Sequence, residues 1–147
     1  MNSLKDNPIL KREIIMDHYE NPRNNQLIDD ENYRKIHLYS SSCLDDIQLQ
    51  VLISQGVIAD VRFEGIACAV ATAAASIMSE LIKGRSISQA EEIIENYFSM
   101  IAQKDYDEQL LKEAVVFEGI GRQVNRVNCA TLSWKGLKQL LDEDEKR

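Results

Sequence analysis

The strongest constraint on the fold is a change of hydrophobic period at Glu64-Gly65. Upstream, Ile47, Leu49, Val51 and Ile53 alternate with mostly polar neighbours, Ser54-Gln55-Gly56 makes a turn, and Ala59, Val61 and Phe63 alternate again around Asp60 and Arg62. This spacing predicts an antiparallel hairpin with one buried face. Downstream, Ala69 to Lys83 is rich in Ala, Ile, Met and Leu with no breaker until Gly84, which predicts a helix whose small side chains allow close packing on the sheet.

The other segments complete the pattern. Asp6-Asn7 before Pro8 reads as a cap and first-turn proline, and Leu10, Ile14 and Ile15 give a stripe that fades at Glu20-Asn21-Pro22, so a helix is predicted over residues 8–19. Ile36-His37-Leu38-Tyr39 alternates and suggests a first strand, followed by a loop at residues 40–45. Ser86 or Ser88 caps the next helix, whose stripe is Ile87, Ala90, Ile94, Tyr97, Phe98 and Ile101. A third helical segment is expected over residues 106–115. Gly119 and Gly121 then punctuate a connection ending at Cys129, and a last helix carries Ala130, Trp134, Leu137 and Leu141. Its acidic end, Asp142-Glu143-Asp144-Glu145, opposes the helix dipole and is expected to fray. The expectation is an α+β fold, a three-stranded antiparallel sheet covered by about five helices. It forms one domain over residues 1–147, with a short flexible N-terminus at about 1–6 and an acidic tail at about 142–147.

Charge narrows the function. Lys and Arg number 17 against 24 Asp and Glu, a net charge of −7, so the basic footprint that a phosphate backbone demands is missing and no nucleic-acid partner is expected. No run is long and apolar enough to span a bilayer, and Met1-Asn2-Ser3-Leu4-Lys5-Asp6 lacks the apolar core of a secretory signal; the reading is cytoplasmic, with no membrane partner. An odd count of three widely spaced cysteines argues against a disulfide framework and leaves metal binding or thiol chemistry.

All three cysteines fall at element junctions. Cys43 lies in the loop before the hairpin, Cys68 in the strand-to-helix turn, and Cys129 at the expected start of the last helix. A helix N-terminus stabilises a thiolate through its dipole and free N–H groups, so Cys68 and Cys129 are poised for chemistry. Asp45, two residues after Cys43, adds a carboxylate, and Cys3Asp is a suitable donor set for tetrahedral zinc. Three thiolates and a carboxylate leave such a site net negative, which keeps its sulfurs nucleophilic. The same residues also suit a labile [2Fe-2S] cluster or iron. The residue types alone leave a bland reading open, because free cysteines are commonly core atoms. His18, near the end of the first helix, and His37, on a strand, read as structural or exposed rather than as ligands, and Trp134 as a packing anchor.

Taken together, Met16-Asp17-His18-Tyr19-Glu20-Asn21-Pro22-Arg23-Asn24, the Cys43-Leu44-Asp45 loop, Phe63-Glu64-Gly65-Ile66-Ala67-Cys68 and Arg126-Val127-Asn128-Cys129-Ala130-Thr131-Leu132-Ser133-Trp134 resemble the U-type iron-sulfur cluster assembly proteins. The resemblance runs from about Ile14 to Leu140. The 61-residue step from Cys68 to Cys129, and Asn128 where the housekeeping scaffold branch has His, point to the SufU-like branch. The resemblance implies a zinc ion held by Cys43, Asp45, Cys68 and Cys129, and a pyridoxal-phosphate-dependent cysteine desulfurase as partner. It further implies that Cys43 is freed from the metal on docking, when a desulfurase histidine takes its place, and becomes the catalytic sulfur acceptor. Arg126 takes a partner-docking role, and downstream iron-sulfur scaffold or acceptor proteins receive the sulfur. The activity implied is that of a zinc-dependent sulfurtransferase; the alternative is a scaffold for a transient [2Fe-2S] cluster, and a thiol enzyme with a His base is a weaker third class. Ser41-Ser42-Cys43-Leu44-Asp45 stands where such loops usually read Pro-Thr-Cys-Gly-Asp. Ala67 replaces a usual glycine, and Ala69 and Ala71 replace polar residues.

Overall fold

The computed structural model describes residues 3–40 and 44–145. Helix α1 (Pro8–Glu20) starts as expected, with the Asn7 side chain accepting the Leu10 N–H and proline in its first turn. Strands β1 (Arg34–Ser40), β2 (Asp45–Ser54) and β3 (Val57–Ile66) form an antiparallel meander in the order β1-β2-β3. Gln55 and Gly56 both take positive φ in the two-residue β2–β3 turn, the conformation that matches strand twist. Helices α2 (Ala69–Ile82), α3 (Ile87–Ile101), α4 (Glu108–Leu111) and α5 (Val124–Glu145) follow. The expected fold class, a three-stranded antiparallel sheet covered by five helices, is the one observed among the described residues.

Register aligns the apolar face: Ile36 opposes Leu49, Leu38 opposes Ile47, Leu49 opposes Phe63 and Val51 opposes Val61. Helix α2 lies over β3 and α5 over β1 and β2, while α1 packs on α2 and α3 on α5. Ala71, Ala73, Ala74 and Ala75 are fully buried, so the small side chains let α2 sit close to its neighbours. Ser86, rather than Ser88, caps α3 through a reciprocal capping box with Gln89.

Expectations change at several places. The β2–β3 register shifts at Leu52/Ile53, a bulge that turns Ala59 outward and buries Ile58 and Asp60 instead. The segment expected as a helix over 106–115 is one α-turn, α4, broken at Lys112 (φ 47°), and then a 3-10 stretch, Lys112–Phe117. Ala114, Val115, Val116 and Phe117 are all buried there, and an amphipathic α-helix does not hide four consecutive side chains. Helix α5 begins at Val124, five residues before Cys129. It also continues through the acidic run to Glu145, where Asp144 pairs with Arg34 and Lys138 with Asp142. At the other end, Leu4–Asp6 forms a 3-10 turn.

Two interactions position the layers. Trp134 of α5 stacks on Tyr97 of α3 at 3.8 Å and 5°, and the Tyr97 hydroxyl donates to the Ala130 carbonyl at 2.6 Å, tying α3 to the turn that carries Cys129. Burial raises the Tyr97 hydroxyl's pKa well above the ordinary tyrosine range, so it stays a donor. At the far end of the sheet, buried Asp60 accepts from Tyr33 Oη at 2.6 Å and Arg62 Nε at 2.8 Å, and pairs with Lys83 Nζ at 3.2 Å. Burial pushes its carboxyl up, but the bonds from Tyr33, Arg62 and Lys83 together hold it below the usual carboxylate range.

Tyr97→Phe keeps the stack and removes the hydroxyl. It is expected to cost about 1 kcal/mol, read as a lower urea midpoint with unchanged slope. For Asp60 the folded pKa is the lower one, so ionised Asp60 stabilises the fold at neutral pH. That contribution is lost as pH falls below about 4 and through the folded value. In an acid titration followed by circular dichroism, Asp60→Asn is expected to be less stable at pH 7 and to lose less stability on acidification than the native chain.

Candidate metal centre

Three of the four donors chosen from sequence come together. Ligand atoms of Asp45, Cys68 and Cys129 all lie within 4.8 Å of one another. The fourth, Cys43, lies outside the described residues, as do Ser41 and Ser42. Each of the three is delivered by a different element: Asp45 opens β2, Cys68 caps α2, and Cys129 lies in the second turn of α5.

Cys68 behaves as expected of a thiol at a helix start. Its Sγ accepts the Ala71 N–H at 3.4 Å, and its own N–H donates to Asp45 Oδ1 at 2.9 Å. Asp45 Oδ2 lies 4.0 Å from Cys68 Sγ. Cys129 does not match its expectation: with α5 beginning at Val124, it sits beyond the first turn, where N–H groups bond within the helix. Its thiol reaches the site by packing, since Cys129 and Asp45 are both 1% exposed while Cys68 is half-buried.

Two backbone features bring these donors together. Gly65 opposes Ile47 and has φ 151°; a Cβ there would lie 2.0 Å from the Asp46 carbonyl oxygen. Glycine thus lets the end of β3 approach β2 beside Asp45, and its place in a strand three residues before Cys68 was the sequence signal for that approach. Leu44, between Cys43 and Asp45, has φ 58° and is 84% exposed. The left-handed conformation that a glycine adopts freely is therefore retained by a leucine, at a cost of about 1–2 kcal/mol.

Two sulfurs and a buried carboxylate converging from three elements form a donor set suited to a thiophilic divalent ion such as zinc, which takes tetrahedral S and O ligands. Leu44, Ile66 and Val124 are large apolar side chains that face solvent on the segments that carry the donors, and Tyr39 does so on β1. Arg126 is exposed on α5, one turn before Cys129. Neither histidine joins the cluster. His37 is exposed and bonded to Asp46 at 2.7 Å, whereas His18 is buried against Ser76 and Glu113.

Residues 10–138 match the family model described as the NifU-like N terminal domain. The chain is 34% identical over 137 residues to the zinc-dependent sulfurtransferase SufU of Bacillus subtilis (strain 168), spanning 92% of each protein. It is 36% identical over 100 residues to the iron-sulfur cluster assembly scaffold protein IscU of Thermotoga maritima, spanning 68% of this chain and 70% of that one. Among solved structures, that of a proposed iron-sulfur cluster assembly scaffold protein for the SUF system from Fervidobacterium islandicum AW-1 superposes with a TM-score of 0.83 at 31% identity, covering 88% of this chain and 94% of the other.

Gly65→Ala is expected to force β2 and β3 apart and to destabilise the fold by roughly 2 kcal/mol or more, measured by urea denaturation. Leu44→Gly removes an exposed side chain and the unfavourable φ. A melting temperature equal to or above that of the native chain is the expected result.

Proposed function

The chain belongs to the NifU-like N-terminal domain family, and on that premise we propose that it works in iron-sulfur cluster assembly as a zinc-binding sulfur carrier supplied by a pyridoxal-phosphate-dependent cysteine desulfurase. The observation that carries this reading is the convergence of Asp45, Cys68 and Cys129 within 4.8 Å. Cys43 is assigned as the fourth donor. It is chosen because it stands two residues before Asp45 in the chain and is the third cysteine of the sequence.

The donors divide by role. Cys129 and Asp45 are buried and Cys68 is held at a helix cap, so these three are the fixed part of the site. Cys43 is the sulfur acceptor. Zinc, when bound, keeps the thiols deprotonated near neutral pH and holds the cysteines apart from disulfide formation. Transfer itself is an exchange at sulfur. The Cys43 thiolate attacks the outer sulfur of the desulfurase persulfide, a new S–S bond forms on Cys43, the donor's S–S bond breaks, and the donor cysteine leaves as a thiolate. No external oxidant or reductant is consumed. Exposed Leu44, Ile66 and Val124 form the apolar part of the docking face, and Arg126 supplies a charged contact beside it.

The similarity to the Thermotoga maritima scaffold supports a second reading, assembly of a transient [2Fe-2S] cluster on the same donors for transfer to acceptor proteins. Metal analysis and visible absorption of the purified chain separate the two. The carrier reading expects about one zinc per chain that is lost when Cys68 is replaced by alanine, no visible absorption, and faster turnover of a cysteine desulfurase when the chain is added. Cys43→Ala is expected to reduce that turnover to the level of the desulfurase alone. A brown protein with iron and sulfide in equal amounts supports the scaffold reading, and a metal-free chain that leaves turnover unchanged overturns both.

A further inference from the structure

A second group of metal-ligating side chains lies where α1, α2 and the 3-10 segment Lys112–Phe117 meet. Ligand atoms of His18, Glu80 and Glu113 all lie within 4.8 Å of one another. Glu80 is twelve residues beyond Cys68 along the chain, a separation of about 18 Å at 1.5 Å rise per residue, so this group is distinct from the thiol site. It contains no sulfur, and its donors are one imidazole and two carboxylates. We propose that His18, Glu80 and Glu113 form a second site for a divalent ion of the zinc and ferrous class, which imidazole and carboxylate ligands suit.

His18 is held from both sides of its ring. It is 1% exposed, and a buried imidazole needs both ring nitrogens satisfied. Nδ1 lies 2.7 Å from Ser76 Oγ, which already accepts the Arg23 backbone N–H at 2.9 Å. The hydroxyl has a second lone pair for Nδ1–H, so the ring is able to keep that proton and aim an Nε2 lone pair outward. This is the arrangement of a metal-ligating histidine whose far nitrogen is fixed by a neighbour. Nε2 faces Glu113 Oε1 at 3.1 Å. In that tautomer two lone pairs oppose each other, and a cation between them resolves the repulsion. In the other tautomer Ser76 donates to Nδ1, and Nε2–H donates to Glu113 with no need of an ion.

The surroundings leave the site open to entry. The carboxylate-bearing side chains of Glu80 and Glu113 are 50% and 52% exposed, and both line a cleft with Ile77, Leu81 and Lys112. Arg23 is the cation nearest Glu80, at 3.7 Å, but its guanidinium is engaged more closely by Asp17 at 2.7 Å. The two pairs use different guanidinium nitrogens, so ion binding exchanges a long, half-exposed Arg23–Glu80 pair for a metal ligand. Glu113 is brought back to α1 by the break at Lys112, a feature of the segment between α3 and α5. A metal here clamps that segment to α1 and α2, a structural role outside the sulfur chemistry.

The test is a zinc titration of chelator-stripped protein, read as stoichiometry and affinity, with circular dichroism to confirm folding. The carboxylates are half-exposed, so Glu80→Gln/Glu113→Gln leaves the core intact. Native protein is expected to take two equivalents and this variant one. The single change Glu113→Gln weakens the second site by more than about tenfold, since even outer-shell changes around metals cost 10–100-fold. Cys68→Ala separates this proposal from the thiol reading: it is expected to retain one equivalent that the Glu80→Gln/Glu113→Gln changes then abolish. If the thiol reading alone fails, native protein binds one equivalent that is lost in the glutamate variant and kept in Cys68→Ala. Equal zinc uptake by native protein and the glutamate variant overturns the second site and leaves the Nε2–H tautomer as the state of His18.

Discussion

The close seating of α2 is the constraint on which the rest of the molecule depends. Ten of its fourteen residues are buried, between β3, α5 and α1, and four of those ten are alanine. A helix enclosed on several sides has no freedom to roll or slide without overlap, because protein interiors are packed to crystal density. Its N-terminus is therefore fixed in space, and with it Cys68. Its polar residues are used as anchors: Ser76 accepts from the Arg23 N–H, and Ser79 from the Asn24 side chain, which holds the segment after α1 against α2. One rigid helix thus orders the thiol end of the fold and the histidine end together.

Around the thiol site, rigidity and access are distributed unequally. Asp45 and Cys129 are sealed by packing, and Tyr97 reinforces the turn of α5 beside Cys129 through the Ala130 carbonyl. Cys68 is half-open, and Leu44 and Ile66, within two residues of Asp45 and Cys68, face solvent. Such a division suits a carrier, which must keep its donors in place while presenting one thiol to a partner. Leu44 belongs to the same logic. An exposed leucine in a left-handed conformation is unfavourable in the isolated chain, and a side chain so displayed gains contacts when an apolar partner surface covers it.

The sequence pattern carried the hairpin, the α2 and α3 helices, the Asn7 cap and, of the chosen donors, Asp45, Cys68 and Cys129, which converge. It misplaced features that depend on distant neighbours. Nothing local to Ala59 says that a bulge at Leu52/Ile53 turns it outward. The residues before Cys129 read as a connection because Gly119 and Gly121 punctuate them, yet α5, packed on the sheet and α2, reaches back to Val124. The acidic end of α5 opposes its dipole, but Arg34, far away in the chain, arrives beside Asp144 and helps hold it helical.

Local information therefore determined most element types, the place of Cys68 at a strand-to-helix junction, and the chemistry of the candidate donors, because hydrophobic period, capping and ligand softness are properties of neighbouring residues. Only the tertiary structure decided that Asp45, Cys68 and Cys129 meet, that Gly65 is the glycine which allows it, and that His18 is buried with two carboxylates before it. Those facts are distances between residues far apart in the chain. They are set by the way three helices and a sheet exclude one another's volume.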